Sequence, residues 1–151
     1  MLGGWQANGI LTLASGQPIV VTQASNTSNS FGGKQNPDST GANADLGSAR
    51  TVAKWFDYTQ YSVAPAYTFG NVGRTTNIRA DYTHGMDFSL FKTANVFRER
   101  VKLQFRAEAF NITNTPVFAA PNANIQAATV GQVTAQANSP RQVQLSLKLL
   151  F

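Results

Sequence analysis

Arg141-Gln-Val-Gln-Leu-Ser-Leu-Lys-Leu-Leu-Phe151 closes the chain, and its reading decides the fold. Successive side chains of a strand point to opposite faces. Val143, Leu145, Leu147, Leu149 and Phe151 therefore share one face, and Gln142, Gln144, Ser146 and Lys148 share the other. The ribbon has one oily and one polar side. The oily side runs to the last residue and ends in an aromatic ring. A lipid-facing barrel strand has this pattern, and about 9–11 residues cross a bilayer when tilted.

The same period recurs upstream. Val101, Leu103, Phe105, Ala107 and Ala109 alternate with Lys102, Gln104, Arg106 and Glu108. Apolar residues at every second position fit a strand better than a helix. Asn111-Ile-Thr-Asn-Thr-Pro116 ends this strand, because Pro cannot donate to a ladder. Before it, Met86 to Asn95 alternates Phe88 and Leu90 with Asp87 and Ser89, and Phe97-Arg-Glu-Arg100 reads as a tight charged turn. Trp5, Ala7, Gly9, Leu11 and Leu13 open a first strand or hairpin; Ser15-Gly-Gln-Pro18 marks a turn or bulge, and Ile19 to Thr22 resumes extended structure. Strands are expected near 4–22, 86–97, 100–113 and 141–151, with long loops over 23–85 and 114–140. Loops of this length are foreign to a compact soluble domain and normal on the outer side of a membrane barrel.

The fold class expected is all-β: an antiparallel transmembrane β-barrel segment of about four strands with two long extracellular loops, part of a larger barrel. Lys102, Gln104, Arg106, Glu108, Gln144 and Lys148 are expected to face the lumen. With the Arg98 turn on the periplasmic side, Trp5, Phe97 and Phe151 fall at one membrane boundary and Phe110 near the other, as two aromatic girdles.

Composition agrees. Charged residues make up 13% of the chain, about half the usual share, and Asn, Gln, Ser, Thr and Gly fill the deficit. Cysteine is absent, which excludes disulfides and thiolate metal sites. The net charge of +5 is spread along the chain, with no basic cluster dense enough for nucleic acid. No stretch is long and apolar enough for a membrane-spanning helix. Met1-Leu-Gly-Gly-Trp5 has neither a charged n-region nor an apolar h-region, so Met1 is expected to be an internal residue of an exported product.

Three groups of segments carry a family resemblance. Gly4-Trp5-Gln6-Ala7-Asn8-Gly9-Ile10 with Ser15-Gly16-Gln17-Pro18 is the first. Phe69-Gly70-Asn71-Val72-Gly73-Arg74 with Asp87-Phe88-Ser89-Leu90-Phe91-Lys92 is the second. Arg98 to Asn111 followed by Pro140 to Phe151 is the third. Together they resemble the C-terminal end of Oar-like TonB-dependent outer-membrane receptors, of the carboxypeptidase-regulatory-like domain family. The resemblance implies a plugged barrel of roughly 22 strands that imports a solute across the outer membrane of a Gram-negative bacterium. It implies an energising TonB system, a plug and the remaining strands as partners, with the solute unidentified. It also implies that Val143, Leu145, Leu147, Leu149 and Phe151 form the signal read by the barrel-assembly machinery. Only the last four strands of such a receptor are matched; the plug and the segment that touches the energising partner have no counterpart in this sequence.

Four strands cannot close a barrel, for which about eight are needed. An open sheet in lipid leaves two edges of unpaired backbone groups, each costing several kcal/mol. Burying the apolar row of the last strand returns only about 1.5–3 kcal/mol per side chain. The alternatives are a self-assembling oligomeric outer-membrane anchor, or a soluble β-rich binding module that would need a second layer over that row.

Nothing in the sequence requires an enzyme, a cofactor or a metal. His84, the only histidine, lies in Asp81-Tyr-Thr-His84 without a placed nucleophile, so an ordinary loop residue is the stronger reading. Gly70-Asn-Val-Gly73 is too short for a phosphate cradle. For Lys102, Arg106, Glu108 and Lys148, wall-stabilising pairing is favoured over contact with a plug or an anionic solute. Trp55, Phe56, Tyr58, Tyr61 and Tyr67 can stack on a sugar, but loop packing is favoured.

Overall fold

The computed structural model describes residues 3–33, 35–97 and 101–151. Among these it forms β1 (Trp5–Ala14), β2 (Asp38–Ser39), β3 (Tyr61–Ser62), β4 (Thr83–Phe97), β5 (Val101–Phe110) and β6 (Gln142–Leu150). β1, β4, β5 and β6 make one antiparallel sheet in that spatial order, and β2 pairs with β3 separately. The fold is all-β, as the alternation predicts. The four-stranded sheet is open, because β1 and β6 each have one neighbour.

The chain divides into two compact units. The sheet unit holds the chain up to Ala14, Thr83–Val117 and Ala137–Phe151; the second holds Ser15–Tyr82 and Phe118–Gln136.

The first strand is shorter than expected. It ends at Ala14, not near residue 22. Gly16 lies so close to the backbone of Ala80 that a Cβ there would collide with the Ala80 carbonyl. Ile19 and Val21 are not in the sheet at all: they are buried in the core of the second unit. Their apolar side chains find a different partner from the one their β-propensity suggests. β4 begins three residues earlier than expected, at Thr83, so His84 is a strand residue opposite Leu13 and not a loop residue. The expected charged turn at Arg98–Arg100 lies outside the described residues; its flanks, Phe97 and Val101, pair across a β-bulge.

β5 stops at Phe110, well before Pro116. The cause is asparagine, not proline. Asn111 and Asn114 take left-handed backbone angles, φ +49° and +51°, which Asn tolerates better than most residues. Asp87 Oδ1 accepts the Asn111 N–H at 2.8 Å, and the Asn111 amide donates to the carbonyls of Thr115 and Ser139. Asn114 Oδ1 accepts the Arg141 N–H just before β6. These bonds satisfy backbone groups that leave the ladder and fix where β6 begins.

The second unit is built from both long connections. Its core is Ile19, Val21, Ala44, Trp55, Phe56, Val72, Ile78 and Val133. The connection between β5 and β6 is bonded to the first one: Trp55 N donates to the Gly131 carbonyl, Val133 N to the Val52 carbonyl and Ile125 N to the Thr22 carbonyl. Gln23 is buried and fully used, its amide donating to the Ser25 carbonyl and Thr27 Oγ1 while its oxygen accepts from Ala64 N. A buried amide with every partner made specifies one packing. The segments expected to be irregular loops are therefore one folded body.

Two carboxylates in this unit make its stability pH-dependent. The Gly47 N–H, followed by the Arg50 guanidinium at 2.6 Å, lowers the Asp45 pKa. Hydrogen bonds from Gln60 and Thr59, helped by Lys54 at 3.3 Å, lower that of Asp57 to about 2. Both groups are more acidic folded than unfolded. Their stabilisation is full above the ordinary carboxyl range, near pH 4, and is lost as pH falls toward 2. Hydrogen-exchange protection over residues 54–62, corrected for the intrinsic rate, should drop across that window. Asp57→Asn should flatten the response.

Candidate functional site: the two faces of the sheet

Residues directly opposite one another in an antiparallel ladder share a face, so the register sorts every side chain of the sheet. One row runs Trp5, Lys92, Phe105, Leu147; the next runs Ala7, Leu90, Ala107, Leu145; the next Gly9, Phe88, Ala109, Val143. Leu11 faces Met86 above these, and Ala94, Leu103 and Leu149 lie below. This face is almost wholly apolar. Its side chains are not covered: Leu147 is 67% exposed, Leu13 69% and Phe151 99%. A continuous uncovered apolar face is intolerable in water and marks a surface meant for another apolar phase.

The apolar band is oblique to the rows. On β1 it spans Trp5 to Leu13, centred on Gly9; on β6 it spans Val143 to Phe151, centred on Leu147. The row through Gly9 meets β6 at Val143, so the band slips four residues in three strand steps. With about 3.3 Å per residue and about 4.8 Å between strands, a slip of about 13 Å over about 14 Å means strands inclined by about 40°, inside the range of membrane barrels. On this slope Trp5 and Phe151 lie at one boundary of the band. Leu13 and Val143 lie at the other.

The opposite face is polar. Lys102, Gln104, Arg106, Glu108, Gln144 and Lys148 all fall on it: Gln104 faces Lys148, and Glu108 faces Gln144. Arg106 Nη2 pairs with Glu108 Oε1 at 3.1 Å, and the guanidinium lies 4.5 Å from the Phe91 ring centroid. Gln104 Nε2 donates to Thr93 Oγ1 at 3.3 Å. Arg106 Nε is buried without an acceptor among the described residues. Both ionic partners are part-exposed, so the pair itself contributes at most about 1 kcal/mol. Its effect is to hold the guanidinium against the wall.

Phe110 departs from its expected place. The register sets it opposite Gln142 on the polar face, where with Ile10, Asp87 and Glu108 it lines a hollow of about 190 Å³. It is not a girdle aromatic, because a one-residue step along a strand reverses the face. Phe97 pairs with Val101 at the same end of the sheet as Phe151. Lys92 was not singled out by its sequence, although it continues the alternation of Phe88 and Leu90; it is a cation on the apolar face.

In the second unit, Trp55 and Phe56 are core residues and offer no stacking surface. The Trp55 indole donates to the Arg79 carbonyl at 2.8 Å and packs edge-on against Phe118, and Phe56 packs edge-on against Tyr61. Tyr67, at 82%, is the most exposed of the group, and Tyr58 is exposed to a lesser degree. Asp81 Oδ2 accepts from Phe118 N at 2.9 Å.

An inclined sheet with one apolar and one polar face, and with both long connections leaving from the same end, is the wall of a transmembrane β-barrel. The sequence matches the model of a family described as an outer membrane beta barrel domain over residues 1–144. The chain belongs to this family, which places it in the outer membrane of a Gram-negative bacterium. No curated protein and no solved structure shows significant similarity to it.

Proposed function

We propose that the chain forms four strands at the C-terminal end of an Oar-like TonB-dependent receptor, a transporter and not an enzyme. In that reading the polar face borders the path of an imported solute. The row Val143, Leu145, Leu147, Leu149 and Phe151 serves as the signal for the barrel-assembly machinery.

The observation that supports it most is the pairing of an open, inclined sheet with long connections that fold as a body. Small closed barrels have no free edges to offer, whereas here both β1 and β6 await further strands. A large receptor barrel supplies those strands and carries sizeable extracellular loops. The full-length product, purified in detergent, is expected to bind the purified periplasmic domain of the host's TonB protein. A well-folded product that shows no binding overturns the energised-import reading and leaves the barrel assignment intact.

A further inference from the structure

Lys92 is the one lysine or arginine on the apolar face among the described residues. A charge there needs a reason, since Lys at the middle of a lipid-facing wall costs about 2–4 kcal/mol and near a boundary only about 0–1. The inclined band supplies one. The boundary through Trp5 and Phe151 crosses β4 between Lys92 and Ala94. The Lys92 backbone is therefore just inside the apolar layer, and its side chain is long enough to leave it.

The side chain does leave it, and in the outward direction. Lys92 Nζ donates to the Gly3 carbonyl at 2.6 Å, two residues beyond Trp5 and away from the middle of the band. It also lies 4.9 Å from the centroid of the Trp5 ring, which holds the ammonium by cation–π attraction. Gly4 makes this reach possible. Its φ of +81° bends the chain, and a Cβ there would collide with the Thr93 carbonyl. β1 starts at Trp5 while β4 continues to Phe97, and the step leaves a hollow lined by Gly3, Gly4, Lys92, Ala94, Asn95 and Lys102. An ammonium fixed by one carbonyl and one ring keeps donors to spare at the rim of this hollow.

We propose that Lys92 and Trp5 form a binding site for the phosphate of a membrane phospholipid, with Trp5 packed along the upper acyl chain. The lipid source follows from the end of the sheet concerned. The long connections leave from the Ala14, Thr83, Phe110 and Gln142 end, and Trp5 lies toward the other. Long loops are extracellular in such barrels, so this boundary is the periplasmic one, whose leaflet is phospholipid.

The test uses the full-length barrel, delipidated in detergent, and native mass spectrometry of retained lipid. Phosphatidylglycerol is added in one arm and an uncharged galactosyl diacylglycerol in the other. Wild-type protein should retain phosphatidylglycerol in preference. Lys92→Gln should weaken that retention about fivefold, the worth of one cation near an anionic surface. Lys92→Arg should keep it, and Lys148→Gln, on the polar face and away from the hollow, should leave it unchanged. Should Lys92→Gln fail to fold, Trp5→Leu tests the same site with the charge intact and should also weaken retention. Undiminished retention in the folded variant, or equal retention of the galactolipid by wild type, overturns the proposal.

Discussion

Leu147→Arg is expected to remove the full-length protein from the outer membrane. Leu147 is the centre of the apolar run on β6, in the row of Trp5, Lys92 and Phe105, and is 67% exposed. A guanidinium at mid-depth on the lipid face costs about 2–4 kcal/mol. That is a large part of a folding free energy of about 5–15 kcal/mol. The long Lys92 side chain escapes such a cost because a boundary lies within its reach; an Arg at 147 has no boundary nearby. The cost should fall with distance from the centre, so Val143→Arg at the far boundary should cost about 0–1 kcal/mol. Ser146→Arg, one residue away, enters the polar face opposite Arg106 and should leave assembly near the wild-type level. The folded fraction is read from the heat-dependent gel mobility of the barrel in membrane fractions. Loss of the Ser146 variant with normal accumulation of the Leu147 variant would show that the faces are assigned the wrong way round, and equal accumulation that the apolar face does not meet lipid.

Phe56→Ala should open the second unit and leave the barrel standing. Phe56 has no exposed surface, packs edge-on against Tyr61 and shares a core with Val21 and Ile78. Removing a buried phenyl ring costs about 3–5 kcal/mol, because the cavity adds to the lost transfer energy. The sheet has its own ladders and none of this core, so the two effects should separate. Trypsin added to intact cells should then cut at Arg50, Lys54 or Arg74 in the variant far faster than in the wild type. The gel mobility of the folded barrel should not change. Resistance equal to wild type would mean that the unit is not held by this core.

These two residues differ in how much the sequence said about them. Leu147 was legible, because a period of two is a local property and survives in a short run such as Gln142–Leu150. The same is true of Lys102, Gln104, Arg106 and Glu108, whose side of the sheet follows from counting. Phe56 was not legible. Its neighbours in the core are Val21, Ile78 and Val133, far apart in sequence and without a common period. Trp55 and Tyr67 look alike as loop aromatics, yet one is buried and the other exposed. Ile19 to Thr22 read as a strand because β-branched residues suit any extended, buried segment, and only packing decided which body they joined.

By itself, then, the sequence determined the alternation: four strands, an oily side and a polar side to each, and a terminal aromatic at the end of the oily row. That follows from the geometry of a single extended chain. Tertiary structure alone decided the register, and with it the inclination of about 40° read from the slipped band, the place of Phe110 on the polar face and the position of Lys92 beside Trp5 at the edge of the apolar layer. It also decided that the two long connections fold as one unit. Register and core packing depend on contacts between residues distant in the chain, and no local pattern encodes which of them meet.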